Sequence, residues 1–159
     1  MALISKQEAL NKLFDSDVVA LPTETVYGLA AKVSSDQALE KVFSTKKRPF
    51  FDPLILHVSN TEMAQHWAHF DPISEKLARH FWPGPLTLVL AKKSNVSDLV
   101  TNGGPTVALR SPDHPIFQWV IAEINEPLAA PSANMFGKTS PTTADHVVTE
   151  FNKKVPVVD

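Results

Sequence analysis

Short apolar runs that end at a proline or at a polar cluster recur along this chain, with amphipathic segments between them. Val18-Val19-Ala20-Leu21 stops at Pro22, and Leu128-Ala129-Ala130 stops at Pro131. Leu54-Ile55-Leu56-His57-Val58, Leu86-Thr87-Leu88-Val89-Leu90 and Thr106-Val107-Ala108-Leu109-Arg110 are of the same kind, and Val155-Pro156-Val157-Val158 starts one more. Val18–Leu21 is apolar throughout, as a fully buried strand requires. Alternation of such strands with helices predicts an α/β fold, and a mixed sheet rather than a purely parallel one.

The helices announce themselves by their caps. Ser5 and Glu8 form a capping-box pair ahead of Ala9, Leu10, Leu13 and Phe14, and Asp15-Ser16-Asp17 ends that helix. Ser35 or Asp36 starts a second, with Ala38, Leu39, Val42 and Phe43 inward. Asn60 or Thr61 caps a third, running to Trp67. Asp71-Pro72 opens a fourth, whose inner face is expected to be Ile73, Leu77 and Phe81; Pro83-Gly84-Pro85 stops it. Pro115 to Ile124 and Thr143 to Phe151 complete the set. Asn102-Gly103-Gly104-Pro105 marks a turn.

At 159 residues the chain is expected to form one domain, 1–159, long enough to bury a core without staples. It has no cysteine, which excludes a disulfide framework, a Cys-zinc site and a thiol nucleophile. With 15 basic and 17 acidic residues the formal charge is −2, so a globally basic nucleic-acid binder is not indicated. The start has no charged-then-apolar leader layout, and no apolar run reaches membrane-spanning length. The expectation is a soluble cytoplasmic protein without a membrane partner. The 13 prolines are dispersed and punctuate element ends.

Chemistry concentrates at three junctions. Thr23-Glu24-Thr25 follows a buried strand, and alone it reads first as a cap and second as a site for a polar substrate or a metal-bound phosphate. Lys46-Lys47-Arg48 follows a helix, where cations suit the dipole, yet an Arg fork beside a mobile Lys is also a phosphate clamp. Pro49 and Pro53 bracket Asp52 and hold that loop extended. Pro131-Ser132-Ala133-Asn134, with Ser140-Pro141-Thr142, sets hydroxyls and free amides before a helix, which suits an anion or nucleotide as well as an ordinary cap. His57 reads first as a core histidine. Arg110, at the end of a buried strand, requires an anion, either a protein carboxylate or a substrate one. Trp82 reads as a packing aromatic. No histidine pair has trusted ligand spacing, so no metal site is assigned, and no standard Gly-rich phosphate loop is present.

In order along the chain stand PTETVYGL, the K-x-R of Lys46 and Arg48, PL-x-x-H ending at His57, WPGPLT, TVALR-x-P-x-HP from Thr106, and PSAN with SPT. This series resembles the threonylcarbamoyl-AMP synthase (YrdC-like) family from about Leu21 to His146. The resemblance implies a single twisted α/β domain with an open, positively lined cavity. It implies a nucleotidyltransferase that makes threonylcarbamoyl-AMP and pyrophosphate from L-threonine, bicarbonate and ATP. A separate transferase complex would then modify tRNA. By the same likeness Lys46 and Arg48 hold the ATP phosphates and carry catalysis. Thr25, His57 and Arg110 contact threonine, Arg110 through its carboxylate. Asp52, where the family often has Asn, lies beside the nucleotide, and Thr106, Ala130, Ser132, Asn134 and Ser140 frame the adenylate. Mg²⁺ arrives with the triphosphate.

Two departures stand out. Phe136 occupies a place where the family usually has Ser. The family continues past the equivalent of Asp159 into a Ser-Thr-Val-Val-Asp strand and an Arg-Gly segment, so the expectation is a YrdC-like domain lacking its usual C-terminal part. The rival reading is a non-catalytic paralogue that binds double-stranded RNA or the ribosome, with tRNA as a further partner. A carbamoyl-transfer module of a larger maturation enzyme ranks last, for want of zinc-finger cysteines or an acylphosphatase segment.

Overall fold

Ser5 accepts a hydrogen bond from the Glu8 amide while the Glu8 carboxylate accepts from the Ser5 amide, so the first helix begins where its capping pair predicts. The computed structural model describes residues 2–159. In chain order, β1 (Leu3–Ile4) and α1 (Lys6–Phe14) precede β2 (Val19–Leu21), β3 (Gly28–Lys32) and α2 (Asp36–Lys46). Next come β4 (Ile55–His57), α3 (Thr61–Gln65), α4 (Pro72–Phe81), β5 (Leu88–Ala91) and α5 (Asp98–Thr101). The remainder is β6 (Thr106–Arg110), α6 (Pro115–Ile124), β7 (Leu128–Ala129), α7 (Ala144–Glu150) and β8 (Val157–Val158).

The strands form one sheet in the order β1-β8-β2-β3-β7-β4-β6-β5. It is mixed, as expected: β4 and β6 run parallel, while β3 is antiparallel to both β2 and β7. Alternate residues feed opposite faces. Val19, Leu21 and Ala30 join Leu10, Leu13, Phe117 and Ile121 from α1 and α6 on one side. Ala20, Leu29 and Ala31 join Leu39, Val42, Phe43 and Val147 from α2 and α7 on the other.

Strand β3 is a central strand that the sequence pattern does not announce. Gly28-Leu29-Ala30-Ala31-Lys32 has no β-branched or aromatic residue, so its local preference is silent, and burial between two helix layers decides. The two-residue β1 and the four-residue α5 likewise lie outside the elements that the sequence pattern predicts.

Helix α4 corrects an expectation. Ile73 is 71% exposed and Phe81 49%, with Leu77 also exposed, whereas Ser74 and Ala78 turn inward. Its anchoring comes from its ends. Asp71 and Ser74 cap it reciprocally, and Phe70 and Trp82, edge to face at 6.4 Å, pack on the core. Phe14 is also outward, under the Lys32 ammonium at 5.2 Å.

Candidate active site

In the parallel pair β4–β6, His57 lies directly beside Arg110, and Ile55 beside Ala108. Residues 55, 57 and 110 therefore share one face of the sheet, the face that α6 covers; the His57 ring sits 5.1 Å from that of Phe117. Above this floor is a hollow of about 300 Å³. One wall is Thr23, Val26, Tyr27 and Gly28, a second is Arg48 with Pro53, and a third is Ala130, Pro131 and Ser132. Gly28 bridges to Ser132, and a Cβ on it would stand 3.3 Å from that of Ala130. Glycine is what lets these strands approach so closely.

Arg110 reaches into this floor with two of its three guanidinium nitrogens engaged. Its Nη2 donates to Glu24 Oε1 at 2.6 Å and to Thr25 Oγ1 at 3.0 Å, and its Nε donates to the Gly84 carbonyl at 3.3 Å. Glu24 uses its second oxygen to accept from the Asp113 amide at 3.0 Å. The protein carboxylate that Arg110 requires is thus Glu24, from the far side of the sequence. Thr23 is a local organiser: its hydroxyl donates to the Val26 carbonyl at 2.6 Å and accepts from the Thr25 and Val26 amides. The segment is a turn and not a helix start, and it sets the Thr25 hydroxyl between the Thr23 hydroxyl, at 3.0 Å, and Arg110.

His57 is 3% exposed, and its buried Nδ1 has no hydrogen-bond partner among the described residues. Burial, reinforced by the Arg110 charge, pushes its pKa down to about 4. The ring is accordingly neutral near pH 7, and a neutral Nδ1 can accept or donate according to tautomer.

The K-x-R pair divides its labour. Lys46 ends α2 almost fully buried, and its ammonium donates to the main-chain carbonyls of Ser132 and Asn134. Burial first, and then the neighbouring Arg48 charge, lowers its pKa to about 8. Lys47 takes the left-handed cap (φ 52°) that turns the chain outward. Lys47 lines a different hollow of about 550 Å³, between α2 and α7, with Lys41 and Glu150. Arg48 does line the central hollow. Its Nη2 lies 2.9 Å from Asp52 Oδ2 and donates to the Pro53 carbonyl at 2.9 Å, and its Nε donates to the Asp52 carbonyl at 3.3 Å. Desolvation lowers the Arg48 pKa, opposed by Asp52.

Asn134 is buried, and its Nδ2 donates to the Met135 and Lys138 carbonyls, both at 2.8 Å; its Oδ1 has no partner among the described residues. Ser140 lies on an adjoining hollow with His146 and Thr149, tied to the first by the Tyr27 amide donating to the Pro141 carbonyl at 2.8 Å. Thr106 is not brought here. It opens β6, paired with Ala91, while Arg110 closes the same strand, roughly 13 Å away by strand rise. Tyr27, Pro53 and Pro131 stand in the sequence motifs without a ligand role of their own, and Ile55 only in a strand; apolar lining carries no chemical signature of its own.

A family model described as telomere recombination, covering the Sua5, YciO and YrdC proteins, matches residues 11–158. The chain belongs to this Sua5/YciO/YrdC family. Within it, the chain is 45% identical over 145 residues to the threonylcarbamoyl-AMP synthase of Pyrococcus abyssi, which covers 91% of this chain and 43% of that one. It is 43% identical over 150 residues to the Bacillus subtilis threonylcarbamoyl-AMP synthase, again 43% of its length. A crystal structure of P. abyssi Sua5 complexed with L-threonine superposes with a TM-score of 0.94 at 40% identity, covering 99% of this chain and 49% of that one. The chain thus spans somewhat under half the length of these relatives. Among the described residues, no helix is long and apolar enough to cross a membrane.

Proposed function

We propose that this chain carries the synthase chemistry of its family: L-threonine, bicarbonate and ATP give threonylcarbamoyl-AMP and pyrophosphate. The observation that carries the reading is that His57 and Arg110 line one hollow side by side, with the Thr25 hydroxyl held on Arg110, although the three come from separate parts of the chain. A hydroxyl, a neutral imidazole and a guanidinium suit an amino acid's side chain, amine and carboxylate. Similarity to a Sua5 structure that holds L-threonine supports the same assignment.

In this reading the threonine carboxylate joins the Arg110 fork beside Thr25. The neutral threonine amine forms a C–N bond to the carbon of CO₂, opening one C=O π bond and losing a proton to solvent, or to that of bicarbonate with loss of the hydroxyl as water, and either route gives a carbamate. A carbamate oxygen then attacks the α-phosphorus of ATP, and the bond to the β-phosphate bridging oxygen breaks, releasing pyrophosphate. Both steps depend on alignment and charge neutralisation and need no covalent nucleophile on the protein. Arg48 neutralises the phosphates. Lys46 acts from behind, by fixing the carbonyls of Ser132 and Asn134 and so the shape of the adenylate wall that Ala130, Ser132 and Ser140 frame.

Among the described residues no group of three or more His, Cys, Asp or Glu side chains is arranged to hold a metal ion. Mg²⁺ is therefore proposed to enter with the triphosphate, where it would screen phosphate charge. Transfer to tRNA by a separate complex, and a cytoplasmic location, complete the proposal.

Calorimetric titration with L-threonine tests the site. The native chain is expected to bind, and Arg110→Ala to lose at least roughly tenfold in affinity, the scale of one charge-assisted pair. Equal affinity in the two chains would refute the assignment.

A further inference from the structure

Three cations stand around the hollow, and each already has an internal partner, but the partners differ in how firmly they are held. Lys46 is locked on two main-chain carbonyls. Glu24, the partner of Arg110, is itself fixed by the Asp113 amide. Asp52, the partner of Arg48, has no such second anchor: among the described residues its carboxylate meets only the Arg48 guanidinium. Its side chain is 35% exposed, against 14% for Arg48. The main-chain carbonyls of Asp52 and Pro53 orient the guanidinium independently of that carboxylate.

An anion approaching Arg48 through the hollow meets a fork that is oriented by carbonyls and neutralised by a loosely held carboxylate. We propose that Asp52 is a specificity-determining residue of the phosphate site, a built-in counter-anion that an incoming polyphosphate must displace from Arg48. This inference rests on the reading of Arg48 as a phosphate ligand. The chemistry gives the direction of selection. A singly or doubly charged anion gains little over the carboxylate it replaces, whereas a triphosphate brings several charges to one fork and wins the exchange. The site is thereby biased against orthophosphate and monophosphates and towards a nucleoside triphosphate. The same loop keeps its shape in the empty protein, because a guanidinium of low exposure is never left without an anion.

Asp52→Asn isolates the charge, since Asn is isosteric and the main-chain contacts of Asp52 remain. Titrations with inorganic tripolyphosphate and with adenosine, without divalent cation, compare the native chain, Asp52→Asn and Asp52→Asn/Arg48→Ala. The expected result is that Asp52→Asn binds tripolyphosphate roughly three- to tenfold more tightly, the scale of a half-exposed ion pair plus mutual repulsion. Adenosine affinity stays unchanged, and the double variant loses the gain. A general loosening of the loop would alter adenosine and tripolyphosphate together and would not depend on Arg48. Tripolyphosphate binding that is equal or weaker in Asp52→Asn overturns the counter-anion role while leaving Arg48 as a phosphate ligand. No tripolyphosphate binding by any of the three chains overturns both.

Discussion

The Glu24 carboxylate meets the Arg110 guanidinium at 2.6 Å, joining positions 86 residues apart in the chain. The contact closes the loop after β2 onto the end of β6, and it holds Thr25 at the same nitrogen. With side-chain exposures of 11% for Arg110 and 22% for Glu24, neither charge is well served by water once its partner is gone. Glu24→Gln is expected to destabilise the fold by about 1–3 kcal/mol. A Glu24→Gln/Arg110→Met chain should lose less than the sum of the single changes, because it leaves no orphaned charge. Urea melts of the four chains give the coupling; strict additivity would show that the pair is not a structural tie.

Lys46 provides a second test, of stability rather than ligand contact. Lys46→Met preserves the apolar stem and removes the ammonium from the Ser132 and Asn134 carbonyls. The expected loss is about 1–3 kcal/mol for leaving buried carbonyls unpaired. Faster amide exchange should follow in residues 132–138, including the Phe136 amide that donates to the Lys46 carbonyl at 2.9 Å. Unchanged exchange there would separate Lys46 from the loop.

The depressed histidine makes a pH prediction whose sign is fixed. His57 has a folded pKa of about 4 against an ordinary 6.5, so between those values the unfolded chain binds more protons than the folded one. Stability contributed by the neutral ring is fully present above pH 6.5 and is lost as pH falls towards 4. The limit is about 3 kcal/mol. His57→Gln should flatten this part of the stability profile. A native profile with no slope between pH 6.5 and 4 would contradict the burial of an uncharged His57.

Much of this architecture is legible in the chain because local signals and burial agree. Ser5, Ser35, Asn60, Asp71 and Thr143 all cap the helices that their spacing announces. The runs at Val19, Ile55, Leu88, Thr106 and Leu128 are all strands. Where the two disagree, packing wins. Leu29, Ala30 and Ala31 form a central strand because two helix layers need small side chains there, a tertiary demand that no local pattern expresses. In α4 the apolar period is present but points outward, since Phe70 and Trp82 beyond its ends already supply the anchorage.

The same applies to the site. The charged and hydroxyl-bearing residues were visible as junction motifs, and Arg110 could be said to require an anion. That the anion is Glu24, and that Lys46 spends its charge on main-chain carbonyls, depends on a β4–β6 register and a loop path set far from either residue. Thr106 shows the converse: proximity in a motif places it one strand length from Arg110.

The outward face of α4 gives a simple check on that helix. Ile73→Ser should change stability by no more than about 0.5 kcal/mol, the range of a free surface position. A loss above about 2 kcal/mol would mean that Ile73 is buried against something.

The measurement that bears most directly on the proposed chemistry is pyrophosphate release from ATP and bicarbonate, with L-threonine, without it, and with L-serine in its place. Release that depends on threonine and disappears in Arg48→Ala is the predicted result. Release indifferent to threonine, or none from a chain that binds both ATP and threonine, would contradict the assignment of synthase chemistry to these residues.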